Sequence, residues 1–309
     1  VNMVDGETDY ISVSQSDLYD GVENYIRLSG VGASESPLDS VLSKIASSEW
    51  LLGDICNVNI GMRTGSDKLS QSYIEQYGID LPKNSGIYVL DSNEVEELGL
   101  NPEERKIVVP FFKNSDVWRY GSKQKNDLWL IDVSYPTMKS LDESRMPNIA
   151  RHLRKFRPVL EGRRSNDNGL LSVIKAGYWW AFTMRQLDFS LPKIVAPQRS
   201  KRNDFGYNSI SWRASMDVYY ITRGSEADVE LKYVLALLNS KAYFQWLYHR
   251  GKRKGDSLEL YQKPLSEVPI PKITLQEQAP FVALVDEILL ITMDDKFNPR
   301  KPSAQQVKL

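Results

Sequence analysis

One cysteine, Cys56, and two histidines, His152 and His249, stand in a chain of 309 residues. A lone thiol forms no internal disulfide, which fits a reducing cytoplasm, and so few Cys and His leave almost no route to a zinc site. Long apolar runs are missing too: nothing approaches the roughly 20 residues of a membrane-crossing helix, and no basic-then-apolar leader opens the chain. The expectation is therefore cytoplasmic, with no membrane partner. There is no G-x-G-x-x-G turn, no Walker loop and no G-x-S-x-G elbow. The stretch GDICNVNIGMRTGSDK, residues 53–68, has glycine spacing and a late lysine, but lacks the four-residue gap and the Gly-Lys-Ser/Thr finish of a phosphate loop. Asp217, Glu230 and Lys232 could be forced into a nuclease-like pattern, yet Glu230 and Lys232 open a helix, whereas such sites hold their ligands on a strand. His152 falls on an apolar helical face and reads as a core or capping residue. His249 reads as a surface contact beside a basic knot, and Cys56 as a small core residue. No catalytic residue and no metal ligand is assigned.

What is present is a globular composition, 41% hydrophobic and 26% charged, which argues against wholesale disorder. The net charge of −1 hides a segregation. Residues 1–50 hold nine acids against two bases, and residues 151–202 hold twelve bases against three acids. A second basic knot, RGKRKG, occupies 250–255. Segregated charge of this kind suits a polyanion-facing surface.

Periodicity supplies the scaffold. Ser36 and Pro37 start a helix with Leu38, Val41, Leu42 and Ile45 on one face. Residues 54–60, 87–90, 105–112 and 128–135 read as strands, as do LPKIVAPQRS, DVYYITR and the proline-punctuated VPIPKI. Residues 146–158 read as a helix with Ile149, His152, Leu153 and Phe156 inward. A single long helix is expected over 227–250, and Thr274 with Glu277 caps a final amphipathic one, 275–293. The fold class is α+β: a mixed sheet, one main sheet being expected, with flanking helices and a C-terminal amphipathic helix.

Basic and amide residues recur on loop tips after strands. They are Arg63, Thr64 and Lys68; Lys113 and Asn114; Arg163, Arg164, Asn166 and Asn168; Arg199, Lys201, Arg202 and Asn203; Lys252, Arg253 and Lys254. Trp118, residues 178–180, Tyr207 and Trp212 are interleaved with them, while Trp129, Trp180 and Trp246 read as core. Arginine suits guanine edges, amides suit adenine, and lysine suits phosphate or guanine. Gly61 and Gly65 are expected to let the Arg63 loop approach a ligand closely. The candidate DNA-contact set is Arg63, Thr64, Lys68, Lys113, Asn114, Arg163, Arg164, Arg199, Lys201, Arg202, Tyr207, Lys252, Arg253 and Lys254. An alternative stays open: an RNA- or single-strand-binding module that uses the aromatics as stacking platforms.

Several segments in order, LGDICNVNIGMRTGSDK, VPFFKNSDVWRY, LWLIDVSY, NIARHLRKFRPVLEGR, LPKIVAPQRS, DVYYI, LKYVLALLNSKAYFQWL and EVPIPKI with EQAPFVALVDEIL, resemble the TaqI-like C-terminal specificity domain. This is the target recognition domain of type IIG restriction-modification enzymes and adenine-specific DNA methyltransferases, and it is similar to the recognition domains of type I specificity subunits. The resemblance runs from about Leu51 to Ile291. It implies binding of double-stranded DNA beside a methyltransferase domain, in the same polypeptide or a partner subunit, that uses S-adenosylmethionine to methylate adenine N6. The catalytic Asn-Pro-Pro-Tyr tetrapeptide of that domain is not in this sequence: Asn101-Pro102 and Asn298-Pro299 continue as Glu103 and Arg300. The resemblance thus implies the recognition half without the catalytic half. Residues 1–35 are expected to be a linker or the tail of a methyltransferase domain, 36–273 the recognition domain, and 274–309 a C-terminal helix and frayed tail. That helix also resembles the spacer helices of these enzymes, simple packing across the core being the other reading.

Overall fold

The computed structural model describes residues 37–294 apart from 136–142, 164–169, 184–187 and 226, together with 2–4, 7–9, 14–15, 19–20, 25–26 and 296–299. The helix that opens the main body, α1 (Pro37–Ala46), carries proline in its first turn, where the missing N–H costs nothing. The strands that matter for the site follow as β1 (Cys56–Ile60), β2 (Val89–Asp91), β3 (Val108–Phe112) and β4 (Leu128–Ile131). Helix α2 (Pro147–Arg154) precedes β5 (Lys193–Pro197), β6 (Arg199–Ser200), β7 (Gly206–Asn208), β8 (Arg213–Ala214) and β9 (Val218–Arg223). Helices α3 (Leu231–Leu238) and α4 (Lys241–His249), the hairpin β10 (Arg253–Lys254) and β11 (Ser257–Glu259), and α5 (Leu275–Thr292) complete it.

The α+β class holds, but the sheet expected as one is two four-stranded sheets, ordered β7-β5-β9-β1 and β8-β3-β4-β2. The first is antiparallel throughout, and in the second β8 joins β3 in parallel. A small antiparallel sheet, β6-β11-β10, stands beside them.

The first sheet is a wall between two cores, because side chains alternate across a strand. Ile194 and Ala196 of β5 and Ile221 of β9 enter one core with Val234, Leu238, Leu247 and Val285 of the helices. Val195, Val218 and Tyr220 of the same strands enter the other, with Phe111, Leu130, Leu153 and Trp212. Both faces of β5 and β9 are thus covered, which is why the two strands read as near-continuous apolar runs.

The long helix expected over 227–250 is broken. Asn239 is fully buried, and its amide is used up on another segment: Oδ1 accepts from Phe205 N at 3.0 Å and Nδ2 donates to Phe205 O at 2.8 Å. Ser240 then caps α4 by accepting from Tyr243 N at 3.2 Å. A tertiary clamp and a local cap together outweigh helical continuity. The capping box at the start of α5 forms as expected: Thr274 N donates to Glu277 at 2.8 Å, and Glu277 N donates to Thr274 Oγ1 at 3.3 Å. Helix α5 buries Val285 and Leu289 in the first core, while Leu290 on its outer side is 80% exposed. Among the described residues no helix is long and apolar enough to cross a membrane, and no group of three His, Cys, Asp or Glu could hold a metal.

Candidate nucleic-acid interface

The Arg63 loop follows β1 and is pinned to the turn between β8 and β9. Gly61 N donates to Val218 O and Met62 N to Ala214 O, each at 2.8 Å. A Cβ at position 61 would lie 2.2 Å from Ser215 O, so Gly61 serves a close approach to the chain's own backbone rather than to a ligand. Gly65 sits at φ +76°, the left-handed region glycine favours. Arg63 is half-buried, and Lys68 lies 3.9 Å from Glu94. Burial raises the Asp67 carboxyl above its ordinary range, opposed by a hydrogen bond from Thr64 and the charges of Lys113 and Lys68, and reinforced by Asp217. Lys113 and Asn114, both exposed, follow β3 directly, and Ser215 N reaches back to Phe112 O at 3.4 Å. Arg63, Lys68, Lys113 and the Ser215–Asp217 turn therefore form one patch at the meeting point of the two large sheets.

The small sheet unites the two basic runs that the sequence leaves 50 residues apart. Arg199 on β6 pairs in register with Glu259 on β11, and β10 carries Arg253 and Lys254. Lys201, Arg202, Lys252, Arg253 and Lys254 are all exposed. Arg202 pairs with Asp204 at 3.4 Å, and the Arg253 guanidinium stacks 3.9 Å from the Tyr248 ring centre. Tyr261, whose ring lies 6.2 Å from that of Tyr219, links this sheet to the Arg63 patch. Burial raises the Tyr219 hydroxyl, while a hydrogen bond with Gln198 and the nearby Arg63 charge oppose it.

Several of the residues expected at this surface lie elsewhere. Thr64 is 2% exposed and bonded to Asp67. Arg163 is 5% exposed, and its guanidinium donates to four backbone carbonyls, those of Leu160 (2.8 Å), Thr64 (3.2 Å), Trp179 (2.6 Å) and Ala181 (2.8 Å). Neither presents a polar group to a ligand; both hold the Arg63 loop from behind. Tyr207 faces α3 and α5: Lys232 Nζ sits 5.6 Å from its ring centre, and Glu230 and Asp286 are its charged neighbours. Asn203 is buried and donates to Leu238 O and Ser240 O. Arg164, Asn166 and Asn168 lie outside the described residues.

Trp212 is fully buried and stacks on Phe112, with ring centres 4.7 Å apart. Trp118 donates its Nε1–H to Thr292 O at 3.0 Å. His152 is a core residue: its Nε2 meets Ile87 O at 2.9 Å, and burial lowers its basicity. Cys56 is buried, which pushes its thiol up to about 12. The nuclease-like trio does not assemble, since Lys232 pairs with Asp286, Glu230 N bonds Gln278 and Asp217 neighbours Asp67. Sequence reasoning missed Gln198, Tyr219, Glu259 and Tyr261. Strand register brings Tyr219 and Glu259 among the cations, Gln198 and Tyr261 adjoin those strands, and a search for basic loop tips passes over all four.

Residues 166–270 match the TaqI-like C-terminal specificity domain. The resemblance read from the sequence thus holds over the stretch that carries β5 to β11 and both basic runs. Over 233 residues, 73% of the chain, it is 25% identical to the type II methyltransferase M.HindII of Haemophilus influenzae. Over 109 residues, 32% of the chain, it is 30% identical to M.HincII of the same species. The chain spans 39% and 21% of the lengths of these two relatives. Among solved structures, the type IIL restriction-modification enzyme MmeI in complex with DNA superposes with a TM-score of 0.57 at 13% identity, over 84% of this chain and 32% of that one. This last likeness is one of fold.

Proposed function

We propose that this chain is the sequence-specific double-stranded DNA recognition domain of a restriction-modification adenine-N6 methyltransferase. The observation that carries the reading is the link between the Arg63 patch and the small basic sheet through Tyr219 and Tyr261, around a segment that matches a specificity domain. On such a face the exposed cations Lys113, Lys201, Arg202, Arg253 and Lys254 meet phosphates and set register along the duplex. On this reading Arg63, Lys68 and Asn114 are the side chains that read base edges; a bidentate arginine–guanine contact contributes about 1–3 kcal/mol of discrimination. The two covered sheets hold these loops still, so specificity changes with loop residues while the scaffold stays constant.

A methyltransferase domain, in the same polypeptide or in a partner subunit, completes the enzyme. S-adenosylmethionine supplies the methyl group there, and the flipped adenine enters that domain. This chain has neither a glycine-rich turn after an opening strand nor the Asn-Pro-Pro-Tyr tetrapeptide, so its own residues bind and orient DNA and take no part in the transfer. The single-strand alternative loses support, because Trp212 is enclosed in a core and Tyr207 faces α3 and α5 instead of a ligand.

The test is selection from a random-site duplex pool followed by a salt titration. Engagement of about five phosphates gives a log–log slope near −4.5. Binding to single strands in preference to duplex, or no salt-sensitive duplex binding, overturns the proposal.

A further inference from the structure

At the centre of the small basic sheet lies an acid. Glu259 is 6% exposed, yet it touches two of the cations expected to meet DNA. Its Oε1 accepts from Arg199 Nε at 3.2 Å and lies 3.1 Å from Arg199 Nη2, and its Oε2 lies 3.4 Å from Lys252 Nζ. Tyr261 ties the group together. Its hydroxyl donates to Glu259 Oε1 at 3.2 Å and accepts from Arg199 Nη2 at 2.9 Å, and its ring lies 4.9 Å from Lys252 Nζ. The backbone fixes all three charged residues: Arg199 opposes Glu259 in register, and Glu259 N donates to Lys252 O at 2.8 Å. Burial alone would raise the Glu259 carboxyl; the Tyr261 hydroxyl, Lys252 and Arg199 outweigh it and hold the group below the ordinary carboxylate range, ionised at neutral pH.

We propose that Glu259 is a positioning residue that sets Arg199 and Lys252 as one phosphate-binding notch on the DNA face, an inference that rests on the DNA-recognition reading. Two cations and one carboxylate leave a net charge of +1, the complement of a single phosphodiester. Both cations remain about half exposed at their side chains, 50% and 57%. Each also keeps N–H groups beyond those spent on Glu259 and Tyr261, since a guanidinium has five and an ammonium three. The notch offers donors only, which suits phosphate oxygens rather than the mixed edge of a base pair. Fixing two long side chains before the ligand arrives removes the rotamer entropy they would otherwise lose on binding.

The rival reading makes Glu259 a brake that merely cancels positive charge. The two readings predict opposite signs for Glu259→Gln. That variant makes the face one unit more positive, so a brake predicts tighter duplex binding and a steeper salt dependence. Positioning predicts about tenfold weaker binding to the selected duplex, and a log–log slope shallower by about 0.9 for the phosphate no longer held. In an Arg199→Ala/Lys252→Ala background, Glu259→Gln should then change duplex affinity less than twofold. Melting temperature checks folding; if Glu259→Gln does not fold, Glu259→Asp serves, expected to weaken binding by less than the tenfold of the glutamine variant. Wild-type binding with unchanged or tighter binding by the variant overturns the positioning role alone. A wild type that binds no duplex overturns the recognition reading and this inference with it.

Discussion

Replacing Arg163 by methionine separates a cation that builds the loop from cations that meet a ligand. The guanidinium is buried and donates to four carbonyls drawn from three segments, residues 160, 64 and 179–181, while its carbon flanks Tyr88 and Gly65. A hydrogen bond from a charged donor contributes about 1.5–3 kcal/mol net, so four independent bonds would give about 6–12 kcal/mol, an upper bound because all four share one guanidinium. Loss of a buried, fully bonded charged group typically costs about 3–5 kcal/mol. The net expectation for Arg163→Met is a loss of about 3–5 kcal/mol, a fall in melting temperature of roughly 6–20 °C. Because one of the four carbonyls belongs to Thr64, the Arg63 loop loosens as well, and duplex affinity drops. The salt slope, measured where the variant is still folded, should not change, since no phosphate contact is removed. Thermal melting and a salt titration of duplex binding together decide it. A variant that melts within a degree of wild type while its salt slope falls by about 0.9 would refute the assignment and return Arg163 to the DNA-contacting set.

The exposed lysines should behave in the opposite way. Lys201→Ala with Lys254→Ala is expected to leave the melting temperature within experimental scatter and to make the salt slope shallower by about 1.8. Asn239→Ala leaves Phe205 N without a partner in a buried site, while Phe205 O keeps Tyr120 N as a donor, and a denaturant titration should show a loss of about 1–3 kcal/mol. Lys193 is 1% exposed, burial lowers its pKa from 10.5 to about 8, and its ammonium donates to Ile210 O at 2.8 Å. Between pH 8 and 10.5 the unfolded chain binds the extra proton, so the lysine's destabilising contribution is complete below pH 8 and is relieved as pH rises; its ceiling is about 3 kcal/mol. Lys193→Met should therefore be more stable than wild type at pH 7, with an advantage that shrinks between pH 8 and 10. A stability difference that does not vary over that range would count against the buried, depressed lysine.

What the sequence made legible is what depends on neighbours along the chain. The Thr274–Glu277 capping box and the proline-led start of α1 are set within a turn or two and form where the pattern predicts them, whereas α2 ends at Arg154, short of the expected 158, and a separate helix runs over Arg157–Glu161. The break between α3 and α4 was not legible, because Asn239 is defined by a backbone segment 34 residues away. The same distinction decides which arginines face a ligand. Arg163 and Arg199 look alike in a count of basic residues. One is enclosed by carbonyls up to 99 residues away, and the other is opposed in register by Glu259, 60 residues on. Charge density along the chain therefore marks the basic segments, and strand pairing decides which of their cations stay exposed. The second sheet was hidden for a related reason: its parallel β8–β3 contact joins residues 213–214 to 111–112, a pairing with no hairpin turn to announce it. That non-local pairing also sets the Ser215–Asp217 turn against Gly61 and Met62, so the anchoring of the Arg63 loop follows from a strand register rather than from the loop's own composition.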